Sequence, residues 1–91
     1  MPYIKKADRI NFDQYLNQVP NTTNKGDLNY CVTQLALYHI KHHGKSYTNI
    51  SEAASALVDA ADEIKRRLLA PYEDQKIEEN GDLELYHGLI L

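Results

Sequence analysis

Apolar residues recur at helical spacing in three stretches of this chain and alternate in a fourth. Ile10, Phe12, Tyr15, Leu16 and Val19 predict a short helix over about 11–19, closed by Pro20. Residues 20–27, PNTTNKGD, read as a loop with Asp27 as the next cap. Leu28, Cys31, Val32, Leu35, Tyr38, His39 and His42 then mark a helix over 28–43, with Gly44 as its stop. Ile50, Ala54, Leu57, Ala61, Ile64 and Leu68 follow a heptad-like spacing and predict the longest helix, 50–69. Ser46, Thr48 or Asn49 would cap it. Ala53, Ala56 and Ala60 add small side chains beside that stripe, which favours close approach of another helix.

Pro71 disfavours helix at Ala70 but suits the first turn of a new one, so 71–79 reads as a separate short helix ended by Asn80-Gly81. Leu83, Leu85 and Leu89 alternate with other residues, the pattern of a strand, and the arm at 2–5 is a candidate partner for it. The expected fold is mostly α: one domain over 1–91, a small bundle with helix 50–69 antiparallel to helix 28–43. Minor extended segments are expected at both termini.

Composition narrows function more than fold. The chain is 43% apolar and 25% charged, which is globular and argues against disorder. Charge is uneven: residues 1–50 hold six Lys and Arg against three Asp, whereas 51–91 hold four bases against ten acids. The acidic second half argues against nucleic acid as partner. No apolar run approaches the roughly 18 residues of a membrane span, and no leader pattern is present, so a cytoplasmic protein is expected. Cys31 lacks an internal partner and sits on an apolar helix face, as a small buried hydrophobe would.

The densest polar cluster surrounds Pro71. Asp62 with Arg66 and Glu63 with Arg67 are i, i+4 pairs in the favourable order, each contributing ~0.2–0.5 kcal/mol on an exposed helix. Glu63, Arg66 and Arg67 of this cluster, with Tyr72, Glu73, Asp74 and Lys76, are candidate ligand-site residues. Arg66, Arg67 and Lys76 suit a phosphate or carboxylate. Asp59, Asp62 and Glu63 with Glu73 and Asp74 are the candidates for holding Mg²⁺, as all-helical nucleotide pyrophosphohydrolases do, but helix 28–43 lacks the paired acids of such enzymes. His39 and His42 or His43 could share a helix face as metal ligands, yet histidines at a helix C-terminus more often complement the dipole. No metal and no cofactor is therefore assigned.

Two motifs run through these residues: Gly26-Asp27-Leu28-Asn29-Tyr30 with Thr33, and Arg66-Arg67 followed by Ala70-Pro71-Tyr72-Glu73-Asp74, Lys76-Ile77 and Asn80-Gly81-Asp82. With the opening Met1-Pro2-Tyr3-Ile4-Lys5, the chain resembles, over about residues 2–82, a family of small uncharacterised proteins of bacteria and their phages. The resemblance implies a shared importance for Asn29, Tyr30, Thr33, Glu63, Arg66, Arg67, Tyr72, Glu73, Asp74, Lys76, Asn80 and Asp82. Lys65 departs from the pattern, which has an aromatic residue there, and the tail after Asp82 is longer.

The leading expectation is a non-catalytic binding or protein-interaction module acting as an oligomer, a dimer through the Ala-rich face being favoured. Its partner would be a protein or a small anionic ligand. The alternatives are a small Mg²⁺-dependent nucleotide phosphohydrolase and a purely structural oligomer.

Overall fold

The computed structural model describes residues 3–90. Pro2 and Leu91, which the two extended termini were expected to include, lie outside them. Every regular element among the described residues is helical. The chain is thus a small all-α protein, and its longest helical run is continuous over 34 residues, 47–80. It divides into two compact units, Met1–Ala60 and Ala61–Leu91.

The first unit opens with an arm, held where Arg9 Nε donates to the Ile4 carbonyl at 3.1 Å. A single 3₁₀ turn, Lys6–Asp8, leads into helix α1, Ile10–Leu16. The apolar spacing continues to Val19 because the chain tightens: Gln18 and Val19 N–H donate to Tyr15 and Leu16 carbonyls, three residues back.

Helix α2, Lys25–His43, starts three residues earlier than the apolar pattern indicates. Asn24, not Asp27, is its cap. Asn24 Oδ1 accepts from the Asp27 N–H at 2.9 Å, and Asp27 Oδ2 accepts from the Thr23 N–H at 3.1 Å. This reciprocal arrangement is close to a capping box, displaced by one residue on its return leg. A Cβ at Gly26 would stand 3.2 Å from Asn24 Oδ1, so a side chain there crowds the cap.

Gly44, at φ +104°, ends α2 in a conformation that disfavours other residues, and its N–H donates to the Ile40 carbonyl. Asn49 then makes the corner. Its Nδ2 donates to the His43 and Gly44 carbonyls at 3.2 and 2.8 Å, while its N–H donates to Ser46 Oγ at 3.1 Å. Ser46 therefore caps helix α3, Tyr47–Ile64.

The small all-α fold built on one long helix is as expected. The Asn49 bonds fix the corner between α2 and α3 through backbone carbonyls. Ala53, at 7% exposure, is the one buried residue among those described.

In the second unit the end of α3 runs into a π-helical segment, Lys65–Leu69, and then helix α4, Ala70–Asn80. The helix does not break at Pro71, as the sequence suggests it should. Pro71 has no N–H to offer Arg67, and its ring would press on that carbonyl. Widening the preceding turn relieves the clash, and Ala70 N–H instead donates five residues back, to Lys65. Gly81, at φ +86°, stops α4, with its N–H on the Ile77 carbonyl at 2.8 Å.

The final segment is helix α5, Glu84–Leu89, rather than a strand. A lone strand would leave its backbone groups unpaired, whereas a helical turn pairs them locally. Asp82 favours the turn: its Oδ1 accepts from the Leu83 N–H at 2.7 Å, and its Oδ2 lies 3.4 Å from His87 Nε2.

Asn24→Ala should destabilise the fold by about 1 kcal/mol, the usual cost of losing a helix cap. The comparison is a urea titration against Asp27→Asn, which leaves the Asn24 acceptor in place and should cost less.

Candidate functional site

The ten candidate residues divide between the units. Asn29, Tyr30 and Thr33 lie on the first turns of α2, past the Asn24 cap that sets where those turns begin. Thr33 Oγ1 donates to Asn29 Oδ1 at 3.2 Å, and Gln34 Nε2 donates to Tyr30 Oη at 3.0 Å. With Lys25 and Gly26 they line a shallow hollow of about 450 Å³. Gln34 matches no motif, so nothing in the pattern of residues marked it.

Tyr30 also borders a larger and more apolar groove. Leu16, Val19 and Pro20 form one side, and Leu28, Cys31 and Leu35 the other, around about 640 Å³. Cys31 and Val32 are half-buried there, in keeping with the small hydrophobe expected of Cys31. The apolar spacing did single these residues out. They were assigned to a core, and the structure leaves them lining an open concavity.

In the second unit Glu63, Arg66, Arg67, Tyr72, Glu73, Asp74 and Lys76 follow one another along α3, the π segment and α4. Arg66 Nη2 bonds Glu63 Oε1 at 2.6 Å, an i, i+3 ion pair, where spacing pointed to Asp62 as the partner of Arg66. The wider turn begins after Ile64, between Glu63 and Arg66. Glu63 is the covered member, at 16% side-chain exposure against 71% for Arg66. Lys76 Nζ pairs with Glu79 Oε2 at 3.2 Å and sits 5.6 Å from the Tyr72 ring centroid, within cation–π range. Tyr72, Lys76 and Glu79 thus form one strip of α4. Glu73 and Asp74 lie in its first turns, where negative charge complements the helix dipole.

Carboxylates are plentiful but dispersed along the helix. No group of three or more His, Cys, Asp or Glu side chains able to hold a metal occurs among the described residues. The histidines of α2 do gather: the His39 and His43 rings are 4.5 Å apart, and His42 meets His43 edge-on at 5.2 Å. They cluster at the helix C-terminus with Lys41, where positive charge is favoured. No helix of the described residues is long and apolar enough to cross a membrane.

These features define a small all-α protein with charged helix ends and an open apolar groove. A family model described as a domain of unknown function, DUF6899, matches residues 1–83, and the chain belongs to that family. The match takes in both motifs and ends just before α5. No curated protein and no solved structure matches the chain.

Pro71→Ala should return the segment 65–69 to ordinary i→i−4 bonding and raise stability by about 1–3 kcal/mol, since proline is the costliest residue inside a helix. Thermal melting reads the gain. Amide exchange reads the change of register: the new N–H at position 71 should be protected by the Arg67 carbonyl.

Proposed function

We propose that this chain is a non-catalytic protein-interaction module that works as a homo-oligomer, a dimer joined along the Ala-rich stripe of α3. The observation that carries the reading is how little of that stripe is covered. Ile50, Leu57 and Ile64 are all exposed, Leu57 at 40% and Ile64 at 60%. A heptad-like stripe bordered by Ala53, Ala56 and Ala60 is the pattern that pairs helices closely.

The surface area supports the same reading. The chain exposes 8648 Å². A folded monomer of 10.4 kDa would expose about 5,400 Å². The excess, on the order of 3,000 Å² per chain, is more than the roughly 1,000–2,500 Å² per chain that obligate homodimers remove from water, so a dimer seam has surface to take up.

On this reading the charged strip of Tyr72 and Lys76, with Arg66 and Arg67, is what the oligomer presents to a protein or small anionic partner. The setting is cytoplasmic, and the family is one of bacteria and their phages. Scattered carboxylates and paired bases suit recognition better than they suit phosphate hydrolysis.

Sedimentation velocity at 1–100 µM should give twice the chain mass, and Leu57→Glu should weaken association at least tenfold while circular dichroism shows retained helix. A full-length chain that sediments as a folded monomer across that range would overturn the proposal. Phosphate release from a nucleotide panel with Mg²⁺, abolished by Glu63→Gln, would replace it with the hydrolase reading.

A further inference from the structure

We infer that His39 and His43 of α2 form a chelating pair for a late first-row divalent cation, Ni²⁺ or Cu²⁺ ahead of Zn²⁺, with solvent filling the other positions. The site lies wholly within α2 and is independent of the self-association proposed above.

Residues four apart stand on one face of a helix, a turn above one another. Spacing alone leaves such a pair at a helix C-terminus with a simpler role, that of complementing the dipole. The ring geometry goes further. The His39 and His43 ring centres are 4.5 Å apart, with their planes inclined at 51°. Two imidazoles on one metal, each nitrogen about 2.0–2.1 Å from it, hold their ring centres roughly 4.5 Å apart at a bond angle of about 90° and roughly 5.2 Å apart at the tetrahedral angle. The observed separation matches the right angle, which tetragonal and octahedral sites use and tetrahedral zinc does not. Imidazole is also a ligand that suits Ni²⁺ and Cu²⁺, and Cu²⁺ heads the affinity series of these ions.

The ring nitrogens are open to a ligand. Among the described residues no hydrogen bond or ion pair engages the side chains of His39, His42 or His43. All three are exposed. With Leu35, Tyr38 and Lys41 they line an open hollow of about 680 Å³, which has room for a hydrated ion. His42 stands edge-on to His43 at 5.2 Å, but successive residues of a helix face different directions, so it lies beside the pair and is not its third ligand.

The setting favours a cation in one further respect. The carbonyls of the last turn of α2 present the negative end of the helix dipole, which offsets Lys41 on the rim. The backbone beneath His43 is also fixed, because its carbonyl accepts from Asn49 Nδ2 at 3.2 Å. An ion bridging His39 and His43 therefore staples the last turn of α2 to the corner that leads into α3.

The tag-free full chain, titrated with Ni²⁺ by calorimetry, should bind one ion per chain, and Mg²⁺ should give no heat. His39→Gln and His43→Gln should each weaken Ni²⁺ at least tenfold, whereas His42→Gln and His87→Gln should leave it within about twofold. Circular dichroism should show every variant as helical as the parent, since the substituted side chains are exposed. Bound Ni²⁺ should also slow amide exchange over the last turn of α2 in the parent and in neither pair variant. No uptake up to about 1 mM Ni²⁺ would overturn the site, as would equal binding of Mg²⁺. So would Ni²⁺ uptake that survives both pair substitutions, falls equally with His87→Gln, or saturates at one ion per two chains. Tighter binding of Zn²⁺ than of Ni²⁺ would overturn the right-angle assignment.

Discussion

Backbone hydrogen bonding, closed at each helix end by a specific side chain or glycine, is the interaction on which this chain depends. Side-chain burial contributes little within one copy, because Ala53 alone is buried among the described residues. Asn24 and Ser46 close the starts of α2 and α3; Gly44 and Gly81 close the ends of α2 and α4. Each is local and each fixes a boundary. Yet helices of this length stand in proteins mainly through tertiary packing of an amphipathic face. Here the backbone is closed locally, while many large apolar side chains among the described residues stay exposed.

The all-helical class was legible because it rests on period, and the spacing of Ile50 to Leu68 has one reading. Boundaries were less so. Asn24 caps α2 from inside a stretch composed like a loop, and Gly26 resembles a turn residue although it lies in the first helical turn. Leu83, Leu85 and Leu89 alternate as a strand would, but alternation records only which faces are apolar. Whether a neighbouring strand exists to pair with is a tertiary fact, and none does among the described residues.

The candidate site was legible as a set of residues and not as a geometry. Spacing assumed a regular helix through Leu69 and a break at Pro71; the structure has a widened turn over Lys65–Leu69 and no break. Arg66 therefore pairs with Glu63 at i, i+3, and Tyr72 and Lys76 meet on a helix that continues from α3. The apolar groove went unread for another reason. The same leucines that signal a core also line an open concavity, and apolar spacing is common to both.

The π segment has a consequence for phase. It adds one residue to a turn, and one residue is about 100° of helical rotation. The apolar stripe through Ala61 and Ile64 would pass on to Leu68, Pro71 and Gln75 in a regular helix. With the added residue it passes to Leu69, Tyr72 and Lys76. Exposure agrees: Leu69 is 46% exposed and Leu68 70%. A proline that seemed to divide a scaffold from a polar site thus acts as a gear tooth, rotating the Tyr72–Lys76 pair into line with Ala61 and Ile64.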